Sequence, residues 1–416
     1  MTEATLNPDS PEAACDLVRS ALARDRTLEV VGRGSKRALG RPVDADAVIG
    51  LSGMSGITLY EPEELVMSAG PGTPVAEIEE TLARNRQRLD FEPADYGRML
   101  GGPADAGTIA GMFASNLAGP RRIKAGAARD HLLGVQAVTG RGDLIRAGGR
   151  VVKNVTGYDV CKLMAGSFGT LALMTELTFK VLPAAEDVRT VLLGGTDREA
   201  ALVALRRAIG SSFDISGVAY LPAAAATRSA VETVRSAGSG LALIRLEGHA
   251  PSVRYRSEQV QALLSGAGGD IALIEAEASR ALWREVRDVA LMPADGLLWR
   301  ASLPPTGAHA FLEEVQERLG AQALLDWSGG LVWLQVPDGG EDGGGALIRG
   351  ALGGGGHATL IRAPEDLRRT VDVFQPQPHM LAELAARVKA SFDPQGLFNP
   401  GRMVRPSPAG AAVSAA

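Results

Sequence analysis

The sequence predicts an α+β protein in two parts, and three observations carry that expectation. Apolar residues recur at helical spacing in some segments and in strand-like runs in others, scattered among one another along the chain. The texture changes after Pro183, where strand-like and helical segments begin to alternate regularly. At about 150 residues per domain, 416 residues correspond to two or three domains.

The elements follow in chain order. Residues 11–25 read as a helix, with Ser10 as N-cap, Pro11 at the first position and an apolar stripe of Leu17, Val18, Ala21 and Leu22. A strand is expected over Leu28–Val31, ending in the turn Gly32-Arg33-Gly34-Ser35-Lys36. Further strands are expected near 47–51, 57–60 and 65–69, then a helix from Thr73-Pro74 to about Arg84. Strands are expected at 133–139, 143–147 and 171–182, with a short helix near 159–165. Beyond a boundary at 183–188, strands at 188–194, 213–220, 241–247, 270–275, 296–302, 322–326 and 331–336 alternate with helices at 197–209, 223–235, 252–265, 278–290 and 307–319. The glycine-rich stretch 337–356 is expected to contain flexible surface loops, and 379–391 to form a last helix.

Composition narrows the function. The net charge of −5 makes a general nucleic-acid binder a poor expectation. Two cysteines, Cys15 and Cys161, support neither a disulfide framework nor the four thiolates of an iron–sulfur cluster. With no secretory leader in view and no apolar run of the ~18 residues a span needs, a cytoplasmic location is expected, or a peripheral one at the inner membrane through partners. The 51 glycines are an excess that suits tight loops and close approach of backbone to a ligand.

The dinucleotide fingerprint starts at Gly32-Arg33-Gly34 but fails at Arg37, and no Walker A motif occurs. The five histidines, at 131, 249, 309, 357 and 379, form no metal motif, so no metal is expected and no catalytic residue can be named. Three other elements carry chemistry. The turn at 32–36 can form a backbone nest, with Arg33 and Lys36 to neutralise phosphate; an ordinary strand-to-loop turn has the same composition. In 107–119, small residues leave room for a flat or extended ligand, although close packing of elements would also explain them. Lys153–Asp159, followed by Gly166-Ser167-Phe168-Gly169-Thr170-Leu171, again sets glycine at a turn beside a strand.

Together these elements resemble the FAD-binding domain of the vanillyl-alcohol oxidase and p-cresol methylhydroxylase flavoproteins. The turn at 32–36 is similar to their Pro-Arg-Gly-Gly-Gly pyrophosphate loop, departing from it at Gly32, Ser35 and Lys36. Residues 107–119 are similar to their Thr-Ile-Gly-Gly run, 166–175 to Gly-Ser-x-Gly-Thr-Leu, and Phe392–Arg402 to the closing Asp-Pro…Asn-Pro-Gly-Lys motif. More narrowly, the segments 148–159, 298–304, 326–330 and 355–362 resemble the smaller FAD-binding subunits of bacterial glycolate oxidases.

The resemblance implies a two-part FAD-binding domain at 1–185, a cap or substrate domain at 186–403 whose C-terminal segment returns to the flavin, and a disordered tail at 404–416. It implies cofactor contacts from Arg33, Gly34, Ser35, Lys36, Gly107, Thr108, Ile109, Gly111, Ser115, Asn116, Gly119, Gly169, Thr170, Leu173 and Asn399. Some members attach FAD through a histidine near the pyrophosphate loop; none occurs between 1 and 130, so the FAD is expected to be noncovalent. Arg300 and Arg362 are candidates to clamp a carboxylate. The implied activity is oxidation of glycolate to glyoxylate, or relay of the electrons, within a complex that adds a larger flavin subunit and an iron–sulfur subunit. A non-catalytic assembly subunit and a stand-alone alcohol or sugar oxidase are the alternatives. The region 337–356 and the tryptophans Trp299, Trp327 and Trp333 are candidate partner surfaces.

Overall fold

The computed structural model describes residues 5–150 and 157–405. Residues 151–156 of the 148–159 motif, and the tail from 406, lie outside the described residues.

Among the described residues the first part holds two main sheets and a two-stranded antiparallel pairing of Gln87–Arg88 with Leu182–Pro183. Thr5–Leu6, Ala47–Gly50 and Leu28–Val31 form a small parallel sheet with Ala47–Gly50 at its centre. The helix Pro11–Ala23 starts where Ser10 accepts a bond from the Ala13 amide, and it buries Ala14, Cys15, Val18 and Ala21 against that sheet. An antiparallel sheet follows in the order Ile57–Glu61, Val66–Ala69, Ala172–Lys180, Leu132–Thr139, Leu144–Gly148. The chain closes on itself here: Leu28 bridges Phe398, and the Asn399 amide donates to Leu28 O (2.9 Å).

Between Pro183 and Asp187 the chain passes into an eight-stranded antiparallel sheet. Its order is Asp270–Glu275, Asp187–Gly194, Leu241–Gly248, Gly217–Leu221, Gln322–Asp326, Leu331–Val336, Leu297–Ser302, His357–Arg362. Strand alternation divides its side chains. Val191, Leu193, Ala242, Ile244, Val332 and Leu334 face the helices Arg198–Ile209, Ala250–Leu264 and Ala308–Leu319. Their neighbours Leu192, Leu241, Leu243, Leu331 and Trp333 join the core of the first part, which includes Phe91, Phe113 and Phe179. The second sheet therefore lies directly over the first part, and any side chain of the inward parity points into the junction.

Buried ion pairs lock that junction. Both terminal nitrogens of the Arg245 guanidinium donate to Glu92 (2.7 and 2.9 Å), while Arg121 and Arg88 pair with Glu247. Burial alone would raise both carboxyls, but the surrounding guanidiniums outweigh it and hold them below the usual range.

Several expectations need correction. Within the segment 337–356, loops flank the short helix Gly345–Ala351 and a 3₁₀ turn at Gly340–Asp342, which the sequence did not show. The expected helix at 223–235 breaks into Ala223–Ala226 and Glu232–Arg235. The break is chemical: Glu285 accepts bonds from the Ser229 hydroxyl and the Ala230 amide, and Ser229 Oγ accepts one from Val231, which competes with helical bonding. A strand at His357–Arg362 and a helix at Ile109–Ser115 were not expected. Trp299 and Trp333 are buried, so they offer no partner surface.

Candidate flavin groove and junction cluster

The strand Leu28–Val31 delivers the turn at 32–37 to the rim of a groove of about 720 Å³, counting its open mouth. Gly34 has φ +78°, which favours glycine, and a Cβ at Gly32 would collide with Oγ1 of Thr108. The turn therefore sits tight against Thr108, which also caps Ile109–Ser115 by accepting from the Gly111 amide (3.3 Å).

Two cations line this groove without side-chain partners among the described residues, Arg33 and Lys36. Burial pushes the Lys36 ammonium down to about 8, and Asp95 only partly opposes that. An enclosed ammonium in no ion pair among the described residues favours an anion.

Asn399 closes the groove from the C-terminal segment. It has φ 44°; its Oδ1 accepts from the Val30 amide (2.9 Å) and its Nδ2 donates to Phe168 O (2.8 Å) and Gly169 O (3.2 Å). It ties three segments of backbone together. Below it, Arg402 donates to Arg37 O and Leu39 O and meets Glu29, which also binds Arg37.

Of the residues chosen from sequence, Arg33, Gly34, Ser35, Lys36, Thr108, Gly111, Ser115, Gly169 and Asn399 line the groove. Gly107 lies beside the Lys36 ammonium. The others are placed elsewhere. Ile109 is core, Asn116 accepts from the Arg129 amide, and Gly119 packs beside Glu92 and Arg287. The Thr170 hydroxyl donates to Ser167 O (2.7 Å). Leu173 points to the opposite face of its strand, under the helix Pro11–Ala23, while Ala172 and Met174 reach the groove. Sequence reasoning missed Phe168, Ala172, Met174 and Arg402; alternation along 172–180 is the signal that separates Leu173 from its neighbours.

A second cluster occupies the junction. Arg122 of the first part and Arg300 of the second both lie over the Trp327 ring, 5.2 and 5.4 Å from its centroid. Neither guanidinium has an acidic partner among the described residues, and the buried Trp327 Nε1 has no acceptor. Trp327 and Ser328 are both left-handed (φ 53° and 61°). Strain of this kind in non-glycine residues persists where the surroundings impose it. The Tyr96 ring meets Trp333 edge-on at 5.8 Å, and burial pushes its hydroxyl up to about 12. Burial pushes Asp326 up to about 7, against a bond from the Trp327 amide (2.7 Å). His357 is pushed down by burial, then by Arg300 and Arg122.

Arg362 does not share this cluster. Its guanidinium donates to the carbonyls of Gly296 (3.2 Å), Pro293 (2.9 Å) and Asp295 (2.7 Å), a structural role that corrects its expected place in a carboxylate clamp. Arg122, which follows the buried Arg121, stands where Arg362 was expected. Nothing in the local sequence separates those two adjacent arginines.

Comparison with known proteins bears on both sites. The family model "FAD binding domain" matches residues 2–148, and "FAD linked oxidases, C-terminal domain" matches 378–403. The Escherichia coli glycolate oxidase subunit GlcE is 34% identical over 95% of this chain and 97% of its own length. The chain belongs to that family of FAD-linked oxidases. A glycolate oxidase subunit GlcD from Bacillus subtilis is 30% identical over 46% of this chain and 39% of its own length. The fold is that of p-cresol methylhydroxylase, with TM-score 0.72 at 14% identity over 96% of this chain and 88% of the other.

The cofactor of this FAD-linked oxidoreductase is FAD. The groove fits it on its own evidence: an enclosed ammonium and a second cation, neither with a side-chain partner among the described residues, and a turn whose glycines let a ligand reach the backbone.

Proposed function

We propose that this chain is the smaller flavin-binding component of a glycolate oxidase-type complex, acting on a small 2-hydroxy acid. The observation that carries the reading is the pair Arg122 and Arg300, two uncompensated guanidiniums over one indole at the junction of the two parts. Such a pair suits a planar carboxylate, which guanidinium groups bind through paired N–H donors.

In this reading the described region up to Pro183, with the segment around Asn399, is the flavin domain, and the part from Asp187 is the cap. Bound FAD, held noncovalently, supplies a two-electron acceptor. Arg33 and Lys36 neutralise its pyrophosphate. Arg300 and Arg122 orient the acid, and the closed junction limits water. The larger flavin subunit and an iron–sulfur subunit carry the electrons onward, since two cysteines cannot ligate a cluster. A partner surface is offered by the helix His379–Phe392, which buries none of its residues and exposes Met380, Leu381 and Leu384. No helix among the described residues is long and apolar enough to cross a membrane, and location at the inner membrane would come through partners.

The test is anaerobic addition of glycolate to the FAD-loaded chain, alone and with its partners, while flavin absorbance is followed. Bleaching of this chain's flavin that Arg300→Met abolishes supports the reading. Bleaching only of a partner's flavin, unchanged by Arg300→Met, favours an assembly or relay subunit.

A further inference from the structure

The junction of the two parts contains a carboxyl group that the binding reading leaves unused. Asp326 ends the strand Gln322–Asp326 and is 3% exposed. It shares the inward parity of Leu324 and stands in register with Ala219 on one side and Leu331 on the other. One carboxylate oxygen accepts from the Trp327 amide; the other has no hydrogen-bond partner and no ion pair among the described residues. A buried carboxyl with a free oxygen is uncommon unless something else completes it.

Its surroundings are defined on every side. Arg300 comes from the strand Leu297–Ser302, Arg245 from Leu241–Gly248, and Glu92 and Tyr96 from the first part. Glu92 is committed to Arg245, and Arg245 is shared among Glu92, Glu247 and Ser216, so neither completes Asp326. Trp327, the next residue, carries both free arginines.

We propose that Asp326 is the proton acceptor for the hydroxy acid held by Arg300 and Arg122. This rests on the functional reading above. Bound FAD would supply the acceptor for the hydride that leaves C2, while the substrate O–H bond would break and a new O–H bond would form on the Asp326 oxygen that the Trp327 amide leaves open. The substrate would leave as the 2-oxo acid, its two electrons taken up by the flavin and its proton held on Asp326 until released to solvent. Burial places this carboxyl near neutrality, the range in which a base both accepts and releases a proton. Of the other titratable groups that face the arginines, burial holds Tyr96 in its protonated form, Asp130 lies toward Arg122, and His357 is exposed on the edge strand.

The experiment compares wild type, Asp326→Asn, Asp326→Glu, His357→Gln and Arg300→Met as full-length FAD-loaded chains in the complex. Oxalate serves as the non-oxidisable probe, read by perturbation of the flavin spectrum. Asn should keep oxalate affinity within about threefold while flavin reduction by glycolate slows ~10²–10⁴-fold, the usual worth of a positioned base. Glu should recover part of that rate. Wild-type reduction should rise with pH through about 7 and then level, and that limb should vanish in Asp326→Asn. Infrared spectra of the resting protein should show a carboxylic-acid band that titrates near the same pH and is missing from Asp326→Asn. Normal reduction in Asp326→Asn, or loss of the pH limb only in His357→Gln, overturns the assignment while leaving the binding reading intact. If wild type neither binds oxalate nor is reduced by glycolate, the binding reading falls and the base assignment with it.

Discussion

At Lys36 the balance between burial and charge sets a measurable pH dependence. Its ammonium is held down to about 8 in the unliganded groove. A bound pyrophosphate favours the charged form and raises that value again. Below pH 8 the lysine is already protonated, so binding takes up no proton there. Between about 8 and the raised value, binding takes up a proton, and FAD affinity must fall as pH increases. Titration of the apoprotein with FAD from pH 7 to 10 should show this decline, and Lys36→Met should flatten it. Arg33→Ala with Lys36→Ala should weaken binding by ~2–4 kcal/mol, from charge-assisted bonds of ~1.5–3 kcal/mol each with incomplete additivity. Unchanged affinity in the double variant would remove both residues from the pyrophosphate site. These two cations were legible in the sequence because they follow a strand and flank glycine. Arg122 was not, because pairing with Trp327 depends on how two distant segments meet, and Arg121 beside it goes to a different partner, Glu247.

Among the elements, the ones read most directly from sequence are those whose own periodicity determines them. Ser10 and Pro11 start a helix, and 331–336 alternates between two cores whichever strand lies beside it. The strand His357–Arg362 was hidden by the glycines before it, and its place at the sheet edge is set by pairing with Leu297–Ser302. The groove likewise depends on long-range closure, in which Asn399 joins Val30 to Phe168 and Gly169. Asn399→Leu should destabilise the chain by ~2–4 kcal/mol, since buried backbone groups lose partners worth ~1–3 kcal/mol each. Urea melts of the apoprotein, free of cofactor effects, measure that. The helix His379–Phe392 gives the opposite result. Met380→Glu with Leu384→Glu should change stability by less than ~0.5 kcal/mol, because both side chains are exposed, yet should weaken co-purification with the partner subunits. Full complex recovery with the double variant would take the partner away from this helix.

On the scale of the whole molecule, the junction decides whether the arginine pair and Asp326 face one another at all. It is held by a continuous apolar core and by the Glu92–Arg245 and Glu247–Arg121 pairs. Both carboxyls have folded values below their unfolded ones, so their contribution is fully present above about pH 4.5 and is lost as pH falls through the folded values. Stability should therefore be level near neutrality and fall on acidification below about 4.5, with Glu92→Gln reducing that acid slope. Removing one partner leaves an uncompensated buried charge, so Glu92→Gln should cost ~3–5 kcal/mol at pH 7. Replacing both partners, as Glu92→Leu with Arg245→Met, should recover most of the loss, because an apolar pair of similar volume avoids the desolvation of two ions. Chemical denaturation of the three proteins at pH 7 and pH 4 separates the cases. If the double variant is as unstable as Glu92→Gln alone, the pair holds the junction by specific bonding rather than by satisfying a charge that folding has already buried.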